Sequence, residues 1–286
     1  MNIKTAFDHF LAAKTCAKSP RTTRWYHDCL RPVINYLGEE RQVENVTIYD
    51  LRAWFNHLLS TQKPELSPWT LNGYGRATRH FFSWLTNEGI LEKNPAHRME
   101  VYPLPKTPRR GICNSDRDAM LAAARSNPRD YAMLRFTAAT GARKSGIAGL
   151  RMEDLELDAR RAYVSEKGCG GNRKVRPVFF DDSTAAALEA WLKVRPENGS
   201  DLVFGLTQWG VYLVFHRLAD RLKLQPGWYP HNWRHAFARN FIRKGGDLGT
   251  LSQLMGHTDV RVTKDFYGDL DDHELQVIYN RFSPFA

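Results

Sequence analysis

Residues 98–111, RMEVYPLPKTPRRG, constrain the fold more than any other stretch of this chain. Three prolines and four Lys/Arg with no amphipathic period read as an extended linker, because proline lacks the backbone donor that a helix or a central strand needs. The 286 residues therefore divide into an amino-terminal domain, 1–97, the linker, 98–111, and a carboxyl-terminal domain, 112–286. Each domain is long enough to bury its own core, since domains usually run to about 100 to 200 residues.

The amino-terminal part reads as helices with clear punctuation. Phe7, Phe10 and Leu11 mark the first. Ser19-Pro20 is a cap followed by proline at the first helical position, and Trp25, Cys29, Leu30, Val33, Ile34 and Leu37 recur at helical spacing until Gly38. Pro32 falls inside this run, which leaves one helix, a kinked helix or two shorter ones open. Thr47-x-x-Asp50 is a variant capping box for a helix with Leu51, Phe55, Leu58 and Leu59 on one face. Ser67-Pro68 opens a further helix with the apolar set Leu71, Tyr74, Phe81, Phe82 and Leu85. Arg76, Arg79 and His80 lie among these, with Trp84 close by, which suits a helix facing DNA; an ordinary solvated basic face is the alternative. Gly73 and Gly75 weaken this helix, which would fit close approach of its backbone to something outside.

Beyond the linker the pattern is mixed: a helix near 115–126, another from 129, a β-hairpin with strands near 161–166 and 173–180, then helices. The expected fold class is mainly α with a small antiparallel β-sheet, in two domains.

A formal charge of +10 with an average 25% of charged residues means that the excess lies in sign, as in proteins that hold polyanions. Nucleic acid is the leading partner. No apolar run of about 18 residues and no signal-like start is present, which argues against a membrane and for the cytoplasm, on the nucleoid. Cys16, Cys29, Cys113 and Cys169 are scattered without zinc-ligand spacing, so neither disulfides nor a structural metal are implied.

The most informative run is His231-Asn232-Trp233-Arg234-His235, followed by Gly256-His257 and then Tyr267. Upstream lies Thr140-Gly141-Ala142-Arg143, and between them Lys167-Gly168 sits at the turn of the hairpin whose far strand begins Arg173-Lys174-Val175-Arg176. Each motif is weak alone; their order is specific. In this order they resemble the tyrosine recombinases, the phage-integrase and Xer family, over nearly the whole chain. The resemblance implies an amino-terminal SAM-like, core-binding helical bundle and a carboxyl-terminal catalytic domain. It also implies a site-specific recombinase that cuts and rejoins DNA through a 3′-phosphotyrosine.

The roles implied by the resemblance fit the chemistry of each side chain. Arg143 and Arg234 would clamp the non-bridging phosphate oxygens, a task for planar guanidiniums that stay charged. His231, three residues before Arg234 and so on the same helical face, would exchange protons and contact the phosphate. Lys167 would protonate the leaving 5′ oxygen, with Lys174 as its rival, and Gly168, Gly170 and Gly171 would let that loop move. His257 would donate a hydrogen bond to the phosphate, and Tyr267 would be the nucleophile. The scheme requires no ATP, metal or other cofactor.

Two positions depart from the family pattern. Tyr267 lies ten residues after His257, where nine is commoner, and Phe266 occupies the usual place; Tyr279 is the fallback nucleophile. Gly146 stands where the family usually has a carboxylate three residues after the first arginine, which leaves Arg143 without that partner.

Affinity for double-stranded DNA is expected from Arg76, Arg79, the linker cations Lys106, Arg109 and Arg110, and the hairpin's Arg173, Lys174 and Arg176. The resemblance further implies a clamp around the duplex, four protomers on two duplexes, a segment from Asp271 that docks on a neighbour, and accessory directionality factors as partners. Two rival functions stay open: a type IB topoisomerase-like nicking-closing enzyme, and a DNA-binding relative that has lost catalysis.

Overall fold

Capping chemistry starts most of the helices in this computed structural model, which describes residues 1–17, 19–61, 66–105, 112–167, 173–197, 200–225, 227–256, 276 and 280. Two compact units result, Met1–Thr107 and Pro108–Ala286.

In the first unit, α1 spans Ile3–Ala17, α2 Pro20–Leu37, α3 Ile48–Thr61 and α4 Pro68–Asn87. Ser19 and Ser67 each accept a hydrogen bond from the backbone N–H three residues on, with proline at the first helical position behind them. The capping box at the start of α3 closes in both directions: Thr47 N–H donates to Asp50 Oδ2 at 2.8 Å, and Asp50 N–H donates to Thr47 Oγ1 at 3.3 Å. Pro32 is accommodated within α2, which is one helix. α2 packs against α1, α3 and α4, and the core gathers around Phe10, whose ring meets Tyr26, Phe81 and Trp84 edge-on.

Two expectations are corrected here. Leu59 is 49% exposed, and Trp54 is fully buried in the face with Leu51 and Leu58, because positions 51, 54 and 58 complete the helical stripe and 59 lies past its edge. The close approach at Gly75 comes from the same unit: a Cβ there would lie 3.4 Å from Val101 Cγ1 and 3.6 Å from its Cα.

In the second unit, α5 spans Asn114–Ala124, α6 Pro128–Thr140 and α7 Lys144–Ala148. Strands β1, Leu155–Glu156, β2, Arg161–Lys167, and β3, Arg173–Phe179, form one antiparallel sheet in that order. Then follow α8, Asp182–Val194, α9, Gln208–Arg221, α10, Pro230–Arg243, and α11, Leu248–Met255. Asn127, Asp181, Thr207 and Asp247 cap α6, α8, α9 and α11. The hairpin register pairs Ala162 with Val178 and Val164 with Arg176. Side chains of Ala162, Val164, Glu166, Arg176, Val178 and Phe180 are all buried, so one stripe of the hairpin enters the core and ends in two charges. α6 packs on α8 and α10, and α7 on β2 and α9, around a core that includes Phe136, Leu188, Phe215 and Trp233. Strand β1 was not expected; two residues are too short to show an alternating period.

Candidate active site and nucleic-acid interface

The T-G-A-R segment is a helix stop turned into a helix start. α6 ends at Gly141, whose φ of 58° is left-handed, and an added Cβ would lie 2.7 Å from Phe237 Cδ1. Glycine is thus required twice, by conformation and by contact. Thr140 Oγ1 donates to the Phe136 carbonyl at 2.6 Å and accepts from Ala142 N–H at 3.2 Å, which ties the turn. Arg143 then occupies the cap position of α7 in extended conformation.

A buried carboxylate holds Arg143 there. Glu166, 2% exposed, accepts from Arg143 N–H through Oε1 at 2.6 Å and from Arg143 Nη1 through Oε2. Arg176 donates to the same carboxylate, Nη2 to Oε1 at 3.2 Å and Nε to Oε2 at 3.3 Å. Burial alone would push the Glu166 carboxyl up; the charges of Arg176 and Arg234 and the bond from Arg143 N–H outweigh it and hold the group below the ordinary carboxylate range. The expectation that Arg143 lacks a carboxylate partner is therefore corrected: the carboxylate comes from β2. Arg176 is corrected as well. At 5% exposure, paired with Glu166 and donating through Nη1 to the Leu254 carbonyl, it is a structural cation and not a DNA contact.

α10 carries the H-x-x-R-H motif with Trp233 turned into the core. Arg234, 2% exposed, donates through Nη1 to the Gly141 carbonyl at 2.7 Å and through Nη2 to the Met255 carbonyl. It joins the arginine turn, α10 and the end of α11. The last carbonyls of α11, at Leu254 and Met255, thus each receive a guanidinium, as the negative end of a helix favours. Gly256 ends α11 with φ 65°, and a Cβ there would lie 2.6 Å from Arg176 Cδ, so the glycine of the G-H motif is demanded by the packed arginine. His231 is exposed, its ring 4.5 Å from that of His235 at 82°. Arg143 and His231 line one opening together with Tyr212 and Tyr229.

Lys167 ends β2 directly after Glu166, opposite Arg173, and Lys174 pairs with Glu166 in the backbone register. The side chains of Lys167, Arg173 and Lys174 lie outside the described residues, as do residues 168–172, the linker cations Lys106, Arg109 and Arg110, and His257, Tyr267, Tyr279 and the segment from Asp271 apart from Gln276 and Asn280.

The first unit carries a separate basic surface. Arg76, Arg79 and His80 of α4 are exposed and border one depression with Trp25, Tyr26 and His97. His80 stacks on Tyr26 with centroids 5.4 Å apart at 21°. Cations beside aromatic faces can hold a phosphate backbone and stack on sugars or bases.

Sequence reasoning missed the roles of Glu166 and Arg176, although the signal was present. Strand alternation from Ala162 and Val164 carries Glu166 inward, and alternation back from Val178 carries Arg176 inward.

Residues 114–274 match the phage integrase family, and residues 5–89 match the phage integrase N-terminal SAM-like domain. The tyrosine recombinase XerD of Listeria innocua serovar 6a is 26% identical over 98% of this chain and 98% of its own length. Among solved structures, the Tn1549 transposon integrase in complex with a circular intermediate DNA superposes with a TM-score of 0.80 at 17% identity, covering 99% of this chain and 100% of that one. A lambda integrase tetramer bound to a Holliday junction superposes with a TM-score of 0.72 at 16% identity, covering 95% of this chain and 80% of that one. With a matched family region that spans more than half its length, and the T-G-A-R turn, the buried arginines and the H-x-x-R-H helix in one unit, this chain belongs to the phage integrase family of tyrosine recombinases.

Proposed function

We propose that this chain is a site-specific DNA recombinase that breaks and reseals DNA strands through a phosphotyrosine formed on Tyr267. One observation carries the reading. Arg143 and His231 line a single opening, and the second arginine, Arg234, is bonded to the turn that presents the first. A guanidinium fixed in this way at an opening can neutralise the charge that builds on a phosphodiester as it is attacked, and the charge of the buried Arg234 adds to its field.

In the proposed reaction the Tyr267 oxygen attacks phosphorus, the bond to the 5′ oxygen breaks, and the departing oxygen takes a proton from Lys167. His231 exchanges the phenolic proton and His257 donates a hydrogen bond to a phosphate oxygen. The 5′-hydroxyl of another strand then reverses the attack and reseals the backbone, so no external energy source enters the balance.

The partner is a double-stranded recombination site, held by phosphate contacts from Arg76 and Arg79 in one unit and from the linker and hairpin cations Lys106, Arg109, Arg110, Arg173 and Lys174. Assembly as a tetramer on DNA, accessory directionality factors and residence on the nucleoid follow from the same reading. No helix among the described residues is long and apolar enough to cross a membrane.

The test is covalent capture from a pool of nicked DNA duplexes of randomised sequence, comparing wild type with Tyr267→Phe. Wild type is expected to give a denaturation-resistant adduct that is absent from the variant. An adduct that persists in Tyr267→Phe sinks the nucleophile assignment, and no adduct from either protein favours a DNA-binding relative without catalysis. Relaxation of supercoiled DNA that lacks any captured site would favour the nicking-closing enzyme.

A further inference from the structure

We infer that Glu166 is the positioning carboxylate of the phosphate clamp, supplied by β2 to a socket that a side chain at position 146 would otherwise enter from α7. The inference rests on the strand-cleavage reading above. Gly146 is buried three residues after Arg143, and a Cβ built on it would lie 3.1 Å from both Cγ and Oε1 of Glu166 and 3.2 Å from Val164 Cβ. The volume that a residue-146 side chain would take is thus filled by the Glu166 carboxylate. Two carboxylates cannot share it without strong like-charge repulsion, so glycine at 146 and glutamate at 166 are two halves of one arrangement.

The socket is fully used. Its two oxygens take four donors, the backbone N–H and Nη1 of Arg143 and the Nε and Nη2 of Arg176. Because Glu166 holds both the main chain and the guanidinium of Arg143, it sets where that side chain leaves α7 and where its fork points. An arginine oriented before DNA arrives loses less freedom on meeting the phosphodiester. Glu166 itself touches no substrate; it acts through Arg143.

Relocating the charge tests this. Glu166→Ala, Gly146→Asp and the double variant Gly146→Asp/Glu166→Ala are compared with wild type by single-turnover adduct formation on a nicked duplex recovered by covalent capture, by DNA affinity, and by thermal melting. Glu166→Ala is expected to slow adduct formation about 100-fold at saturating DNA while DNA affinity changes little, the signature of a misplaced clamp. Gly146→Asp is expected to be slow and to melt roughly 5 °C or more below wild type, from overpacking and repulsion. The double variant, with one carboxylate again in the socket, is expected to be faster than either single variant and to melt above both. Glu166→Ala cleaving at the wild-type rate overturns the inference, and so does a double variant no faster and no more stable than Glu166→Ala. A wild-type protein that forms no adduct sinks the cleavage reading instead, and the melting cycle then decides alone whether 146 and 166 share one socket.

Discussion

Arg234 of α10 donates to the carbonyl of Gly141, 93 residues earlier, at 2.7 Å, and through its other terminal nitrogen to Met255. A planar fork makes this bridge, and a lysine ammonium at that place has no fork. Arg234→Lys is expected to lower strand cleavage on the order of 100-fold, because the arginine turn loses its tie to α10 and shifts. Single-turnover adduct formation checks this, and a lysine variant at the wild-type rate would show that charge alone suffices.

Gly141→Ala should harm both folding and activity. A left-handed alanine costs about 1–2 kcal/mol, and the contact with Phe237 adds about 1–3 kcal/mol of overpacking. Urea unfolding measures the sum. Pairing it with Phe237→Ala should recover the overpacking part and leave the conformational part; no recovery would mean that Phe237 moves aside at little cost.

Cations on the two kinds of surface should behave differently. Arg76→Ala and Arg79→Ala are each expected to flatten the slope of log K against log salt by about 0.9, one phosphate contact apiece, with thermal stability unchanged. Arg176→Ala is expected to cost about 3 kcal/mol of stability, since it strips a partner from a buried carboxylate. Salt titration of DNA affinity beside thermal melting separates them. A salt slope unmoved by Arg76→Ala and Arg79→Ala would reduce that face to ordinary solvated charge.

Asp181 caps α8 by accepting from Thr184 N–H at 2.8 Å. Partial burial opposes ionisation of its carboxyl, but hydrogen bonds from Thr184 and Ser183 and the charge of Arg135 outweigh it and bring the pKa to about 2. The folded value lies below the unfolded value of about 3.9, so the stabilisation is present above the unfolded value and is lost as pH falls from there to about 2. Asp181→Ala is expected to cost about 1 kcal/mol at neutral pH, the usual worth of a cap. Its deficit should shrink as pH drops through that window. A deficit that stays constant down to pH ~2 would contradict the assignment.

Much of the fold was legible because its signals are local. Ser19, Ser67 and the Thr47–Asp50 pair act within one helical turn, and the hairpin shows its period over seven residues a strand. Trp54 and Leu59 were exchanged because a face drawn through 51, 55, 58 and 59 leans past one edge of the buried stripe and leaves out position 54 on the other. The order of the motifs pointed to Arg143, His231 and Arg234, whereas what holds them is tertiary. Nothing near Gly141 announces Phe237, and Arg176 was counted among the DNA-holding cations where strand alternation already turned it inward, as it did Glu166.

The guanidiniums of Arg143 and Arg176 share the Glu166 carboxylate, whose ionised form the charge of Arg234 also favours. Folding therefore brings three cations close together before any phosphate arrives, and a seated phosphodiester would add an anion beside them. DNA should act on this unit as a missing structural component, raising its resistance to unfolding in proportion to how well a phosphate is seated.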